Sequence, residues 1–210
     1  MKTLKIPEAT IMRLSVYSRY LIEVDRKGII TISSGDIADG VGVSPAQVRK
    51  DFAYFGEFGI RGVGYNVKDL HKNILRILGL SDGWGLSLIG IGNLGLALSS
   101  YQGFKDRGFT VTSIFDKNPN KIGMAVNGIE VMHTDRIEEI ISQRKTQIGV
   151  IAVPAVAAQD VADKLVKAGI KAILNFAPVV LNVPPEVELR NVDLSVNLEV
   201  LTFNMRGKMA

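Results

Sequence analysis

Leu86-Ser87-Leu88-Ile89-Gly90-Ile91-Gly92-Asn93-Leu94-Gly95 is an apolar run that breaks into glycines at the spacing G-x-G-x-x-G. In a chain with 21 glycines that spacing alone decides little. Its surroundings decide more. The glycines follow a run that reads as a strand and open a helical pattern, and the next apolar run, 110–115, leads into Asp116, 21 residues beyond Gly95. Strand, glycines, helix, strand and acid in that order mark a dinucleotide-binding βαβ unit. Gly90 permits the tight turn, Gly92 lets the backbone approach a diphosphate, Gly95 lets the helix pack closely on the strand, and Asn93 and Leu94 complete the loop. The diphosphate then lies at the positive end of the helix. Asp116 is placed to accept hydrogen bonds from the adenosine ribose and to repel a 2′-phosphate, which favours NAD(H) over NADP(H). Lys117 and Lys121 lie close enough to weaken that preference.

Downstream, strand patterns at 129–132, 148–153 and 172–176 alternate with helical patterns at 135–142 and 155–168, and a helix over 94–104 joins the first two strands. Such alternation predicts a parallel, doubly wound sheet. The tail over 195–203 reads as a helix with Val196, Val200, Leu201 and Phe203 as its apolar residues.

Upstream the pattern differs. Ile11, Leu14, Tyr17, Leu21 and Val24 recur at helical spacing over 7–27, and Gly28 ends that helix. Ser34 can cap a short helix carrying Ile37 and Ala38, and Val41-Gly42-Val43 makes a turn. Ser44-Pro45-Ala46-Gln47 combines an N-cap serine, a proline at the first helical position and a glutamine three residues after the cap, the signature of a capping box. Glycines alternate with β-formers over 58–67, as in a small hairpin with a basic tip, and a helix over 67–78 follows. The expected fold is α/β: a winged-helix (helix-turn-helix) domain over 1–80, then a Rossmann-like doubly wound parallel-sheet domain over 81–210.

Charge divides along the same line. Residues 1–80 hold 12 Lys and Arg against 8 Asp and Glu, whereas 81–210 hold 13 of each, so the whole net charge of +4 lies in the first part. A nucleic-acid-binding module joined to a neutral ligand module has that asymmetry. The chain has 47% hydrophobic residues and no stretch near the roughly 18 apolar residues of a membrane span, so a cytoplasmic protein is expected. With no cysteine, and two histidines (His71 and His133) far apart, thiol and metal chemistry are excluded as leading readings.

A dehydrogenase needs a proton donor or base near the nicotinamide. Tyr101 and Lys105 have the Tyr-x-x-x-Lys spacing of short-chain reductases, but they stand just after the glycine loop rather than on a later helix. His133 reads as a capping or surface residue. A redox-cofactor site without catalytic groups implies a sensor rather than an enzyme.

In the helix opened by Ser44, Val48, Phe52 and Phe55 form the stripe to be buried. The opposite face carries Ala46, Arg49, Lys50 and Ala53. The alanines admit a groove, and the cations reach phosphates or guanine edges. Gln47, on the flank, either completes the capping box or reads a base. Arg61, at the tip of the Gly62, Gly64 and Tyr65 hairpin, suits a minor groove or a phosphate.

Gln47-Val48-Arg49-Lys50-Asp51-Phe52, Gly59-Ile60-Arg61-Gly62-Val63-Gly64-Tyr65, the Gly90 to Gly95 loop, Asn175-Phe176-Ala177-Pro178 and Val192-Asp193 together resemble the Rex family of redox-sensing transcriptional repressors. The resemblance implies a homodimer that binds double-stranded DNA at an inverted-repeat operator of fermentative or respiratory genes and is released when NADH replaces NAD⁺. It implies a C-terminal helix exchanged between subunits. It also implies a switch in which Asp193 pairs with Arg19 of the other subunit in one state and with Tyr101 in the other. Asn175 joins the candidate cofactor contacts, and Val153, Pro154, Ala177, Pro178 and Leu194 are the candidates for an apolar nicotinamide pocket. Leu194 stands where some relatives place an aromatic residue. Two other readings stay open: an NADH-dependent oxidoreductase with an incidental basic N-terminus, and a repressor sensing another nucleotide such as coenzyme A.

Overall fold

The structure is a computed structural model describing residues 6–60 and 62–209. The chain divides into two compact units, Met1–Asp82 and Gly83–Ala210.

In the first unit, α1 (Glu8–Arg26), α2 (Ser34–Val41), α3 (Pro45–Ala53) and α4 (Val67–Ile77) surround one core, and β1 (Thr31–Ile32) pairs antiparallel with β2 (Tyr65–Asn66). The heptad-like spacing of α1 turns Leu14, Tyr17, Leu21 and Val24 inward, where they meet Ile37 of α2, Val48 and Phe52 of α3, and Leu70 and Ile74 of α4. Phe52 is the hub. Its ring makes edge-on contacts with Tyr17, Phe58 and Tyr65 at centroid distances of 5.6, 5.7 and 5.3 Å. Truncating such a buried aromatic to alanine costs about 3–5 kcal/mol.

The second unit holds a seven-stranded sheet in the order β5-β6-β4-β3-β7-β8-β9. Its strands are β3 (Trp84–Ile89), β4 (Phe109–Asp116), β5 (Ala125–Val126), β6 (Ile129–His133), β7 (Ile148–Ile151), β8 (Ala172–Asn175) and β9 (Glu188–Asn191). All pairs are parallel except β5 with β6. Alternate residues serve opposite faces. On one face Leu86, Leu88, Ile114, Val131 and Val150 pack with Leu98 of α5 (Asn93–Ser99) and Phe104 of α6 (Gln102–Lys105). On the other, Ile89, Phe115, Met132, Ile151 and Ile173 pack with α7 (Ile137–Arg144) and α8 (Ala155–Lys167). Strand order runs outward from β3 in one direction and from β7 in the other, so their carboxyl ends form the crevice where doubly wound sheets bind ligands. The last helix, α9 (Leu194–Met209), leaves Leu194, Val196, Leu198, Val200, Leu201, Phe203 and Met205 exposed.

Several expectations from sequence need correction. Ser33, not Ser34, caps α2: its Oγ accepts from Asp36 N while Asp36 returns a bond to Ser33 N, a complete capping box. The single helix over 94–104 is two. Ser99 and Ser100 donate their hydroxyls back to the carbonyls of Leu96 and Ala97, competing with the helical ladder, and Tyr101 between the two helices is extended. The hairpin over 58–67 is only a bridge between Ile60 and Gly64, because Tyr65 and Asn66 pair with Ile32 and Thr31 instead. Strands β1, β5 and β9 escaped notice, being of two to four residues, and β9 carries the polar Glu188, Arg190 and Asn191 on an edge. Helix α7 opens through a 3-10 turn, Thr134–Arg136, whose Asp135 N donates to His133 Nδ1, so His133 is a capping residue. Among the described residues no helix is long and apolar enough to cross a membrane, and no group of acidic and histidine residues could hold a metal ion.

Candidate functional site

The glycine loop stands at the crevice. Gly90 has φ +93°, and a Cβ there would lie 2.5 Å from Ala152 O, so only glycine fits. At Gly95 a Cβ would lie 1.9 Å from Gly90 O, which is how closely α5 packs on the end of β3. At Gly92, by contrast, a Cβ would meet nothing within 4 Å: this face of the loop opens on free space. That space is a cleft of about 400 Å³, lined by Gly90, Gly92, Asp116, Lys117, Val153 and Pro154 of the expected residues and also by Asn118, Lys121, Thr134, Asp160 and Lys164.

Asp116 is buried, and its carboxylate is already engaged. Oδ2 accepts from Ile91 N at 2.9 Å and Lys121 Nζ at 3.1 Å, and Oδ1 accepts from Asn118 N at 2.8 Å. Lys121 also donates to Ile91 O at 3.0 Å, so the acid and the lysine together hold the second residue of the glycine loop by both its backbone groups. Burial raises the carboxyl pKa, but the Asn118 and Ile91 amides and Lys121 outweigh it, and the net shift is downward. Asp116 therefore meets a ligand as an already bonded carboxylate rather than a bare one. About one of its four lone-pair sites is left for a ligand, and its charge toward a 2′-phosphate is largely offset by Lys121.

Asn175 does not line this cleft. It is fully buried, with Nδ2 donating to Ala177 O, Val179 O and Asn191 Oδ1 and Oδ1 accepting from Ala177 N, so it braces the turn after β8. Ala177 is buried in the core, whereas Pro178, Val179 and Val180 are exposed, and none of them lines the cleft. Asn93 and Leu94 begin α5, and Leu194 is the exposed first residue of α9. Just before it, Asp193 Oδ1 accepts from Ser195 N and Oγ, bonds that lower its pKa and cap the helix. Tyr101 is exposed and packs edge-on against Phe104 at 5.2 Å. Tyr101 caps the four-residue α6 that Lys105 ends, which is no reductase helix. Arg19 is an exposed residue of α1.

In the first unit, Ala46, Arg49, Lys50 and Ala53 are exposed along α3, and Arg49 donates to Ser34 Oγ at 3.0 Å. Between α3 and residues 56–65 runs a groove of about 830 Å³ lined by Ser34, Arg49, Ala53, Ile60, Gly62 and Val63. Gly64, at φ +105°, approaches the backbone so closely that a Cβ would lie 2.6 Å from Ile32 O. Tyr65 is half-buried against Phe52. Arg61 lies outside the described residues. Ser44 Oγ accepts from Gln47 N at 3.1 Å, capping α3. The reciprocal bond of a capping box is absent here, because the Gln47 side chain turns to Asp51.

Asp51, which sequence reasoning passed over, is the polar centre of this unit. Its side chain is 0% exposed. It accepts from Thr10 Oγ1 at 3.1 Å, Arg13 Nε at 2.6 Å and Nη2 at 2.7 Å, Tyr17 OH at 2.8 Å and Gln47 Nε2 at 2.9 Å. Burial pushes its carboxyl up, but the donors, Arg13 first, bring it below the ordinary value. Tyr17, raised by the same burial and by Asp51, stays protonated. The available signal was an acid between apolar Val48 and Phe52, with Arg13 and Tyr17 four apart on one face of α1.

Comparison with known proteins bears on both sites. The chain is 73% identical, over the full length of both, to the redox-sensing transcriptional repressor Rex of Desulfitobacterium hafniense. It belongs to the Rex family of redox-sensing transcriptional repressors. Residues 83–179 match the family described as "CoA binding domain" and residues 5–53 that described as "Putative DNA-binding protein N-terminus". The crystal structure of the Rex-family repressor RSP in complex with beta-NAD⁺ and operator DNA is similar at TM-score 0.93 and 41% identity, covering 97% of this chain and 94% of that one. RSP in complex with beta-NADH is similar at TM-score 0.87 and 39% identity, covering 98% and 96%. As a Rex protein the chain is a regulator, and the oxidoreductase alternative falls away.

Proposed function

We propose that this chain binds an inverted-repeat operator as a homodimer through α3 and the segment after it, and leaves the operator when NADH takes the place of NAD⁺ in the cleft above the glycine loop. The observation that carries this reading is the opening at Gly92, a backbone face with no protein neighbour at the crevice of a doubly wound sheet. The RSP complexes support NAD(H) as the occupant. The residues fit such a ligand. The loop amides from Gly92 to Gly95 face a diphosphate, Lys117 adds positive charge, and Asp116 with Lys121 holds the loop in register while keeping one acceptor position for the ribose.

Since both dinucleotides share adenosine and diphosphate, discrimination falls to the nicotinamide end. The oxidised ring is cationic and the reduced ring neutral, so the apolar Val153 and Pro154 that line the cleft favour NADH by sparing an unpaired charge from burial. Ala177, Pro178 and Leu194, which do not line it in the single chain, are candidates only for an arrangement completed in the dimer. The exposed apolar residues of α9 support a dimer in which this helix is exchanged. Asp193, Arg19 and Tyr101 are the proposed switch between dinucleotide and operator. The proposed operator DNA places its work in the cytoplasm. Calorimetry with NADH, NAD⁺ and coenzyme A, followed by release of a fluorescent operator, tests the reading. Binding and release by NADH support it, whereas release by coenzyme A with no response to NADH would replace the ligand.

A further inference from the structure

The side-chain amide of Gln47 is held one way round. Asp51 is buried, ion-paired to Arg13 and therefore an acceptor at both oxygens, so it can face only the NH₂ end of the Gln47 amide. Flipping the amide would set Gln47 Oε1 against a carboxylate, two acceptors at hydrogen-bond distance. Orientation is thus fixed by chemistry rather than by packing. Among the described residues nothing donates to Gln47 Oε1, and Gln47 is half-buried, the third residue of α3 and a neighbour of the exposed Ala46 and Lys50. The first turn of a recognition helix is the part that meets base edges in the major groove. Ala46 beside it has no side chain long enough to keep a base edge away.

We propose that Gln47 reads the operator through its Oε1 as a hydrogen-bond acceptor, selecting a base that presents a donor in the major groove, cytosine N4 or adenine N6, and that Asp51 is the positioning residue that imposes this polarity. A free glutamine pairs both its amide groups with adenine N7 and N6. One Nε2 hydrogen goes to Asp51 and the other stays free to donate. Gln47 therefore keeps its acceptor toward adenine N6 or cytosine N4, and adenine, which adds the N7 acceptor, is favoured over cytosine. Guanine and thymine, which offer acceptors where Oε1 meets the base edge, are disfavoured.

The inference rests on α3 being the recognition helix, and the experiment separates the two. Duplexes are selected by the full-length parent from a random pool, and every base pair of the selected half-site is then replaced in turn. Affinities are measured for the parent and for Gln47→Met, Arg49→Ala and Lys50→Ala. One hydrogen bond to a base edge is about three- to tenfold in affinity. Gln47→Met, which keeps the shape and removes the amide, is expected to lose about that factor on the selected duplex and to lose the discrimination at one base pair, while binding random duplex like the parent. In Asp51→Asn the Gln47 amide can sit either way round, so at that same base pair guanine or thymine becomes tolerated. Amide exchange of α3 shows whether this variant is folded, and if it is not, the Gln47→Met comparison decides alone. Equal loss by Gln47→Met on selected and random duplexes, or an unaltered base preference, would overturn the proposal. If Arg49→Ala and Lys50→Ala also bound like the parent, the fault would lie in the recognition helix itself.

Discussion

Replacing Arg13 by methionine removes the counter-charge of a carboxylate that has no access to water. Asp51 keeps the donors of Thr10, Tyr17 and Gln47, but the two shortest of its contacts, at 2.6 and 2.7 Å, come from the guanidinium. Breaking a buried pair from one side costs about 3–5 kcal/mol. Arg13 keeps 27% side-chain exposure, so the lower end, about 3 kcal/mol, is expected, a factor of about 150 in the local equilibrium. Native-state amide exchange read at Val48, Phe52 and Leu21 follows this unit without unfolding the other. The pH dependence separates charge from packing. Because the folded-state pKa of Asp51 lies below its ordinary value, its contribution is present above the unfolded carboxylate pKa and is lost as pH falls through the folded one. The gap between parent and Arg13→Met should therefore be full at pH 7 and shrink in acid below the ordinary carboxylate pKa. A gap of the same size at all pH values would mean that the lost stem of Arg13, not its charge, carries the effect, and would refute the electrostatic account.

Arg49→Ala and Lys50→Ala should weaken operator binding with NADH affinity unchanged, and a phosphate-contacting cation should lower the salt slope by about one, read by anisotropy across a salt series. Asp116→Ala should weaken NADH binding and narrow the gap between NADH and NADPH. Because Asp116 also holds Ile91 N, ADP-ribose should lose affinity in parallel, and calorimetry showing unaltered NADH affinity would remove both roles. Asp193→Ala should bind NADH yet lose most of the coupling to operator; a variant retaining the parental shift would exclude Asp193 from the switch.

How much was legible in sequence depended on whether a residue's neighbours are local. The glycine loop could be read because its spacing between a strand pattern and a helix pattern is local, although the close approach at Gly90 is to Ala152, far along the chain. The stripe of Val48 and Phe52 could be read because helical spacing names its own buried face. Asp51 could not be read that way: its main partners, Thr10, Arg13 and Tyr17, lie 34 to 41 residues away on α1. Gln47 differs for another reason: two local partners compete for its side chain, and Asp51, one turn further along α3, wins over the box with Ser44. Asn175 and Asp116 were recognised as functional polar residues by motif, yet both bond chiefly to backbone of their own turns or of the loop alongside. The break of the helix at Ser99 and Ser100 turned on serine hydroxyls choosing backbone carbonyls, which spacing alone does not reveal.

The central claim is that one ligand cleft and one DNA surface share a free-energy linkage, and linkage is reciprocal. Driving a two-state switch from 1:99 to 99:1 takes about 5.5 kcal/mol, which two coupled sites supply if each state differs by ~100-fold, about 2.7 kcal/mol, in NADH affinity. The direct test is a titration of the full-length protein with NADH, monitored by the ligand's own fluorescence, with and without saturating operator duplex. The account predicts that the factor by which saturating NADH weakens operator binding equals the product of the factors by which operator weakens NADH binding at the two sites of the dimer, with NAD⁺ showing little of either. NADH affinity indifferent to operator would contradict it.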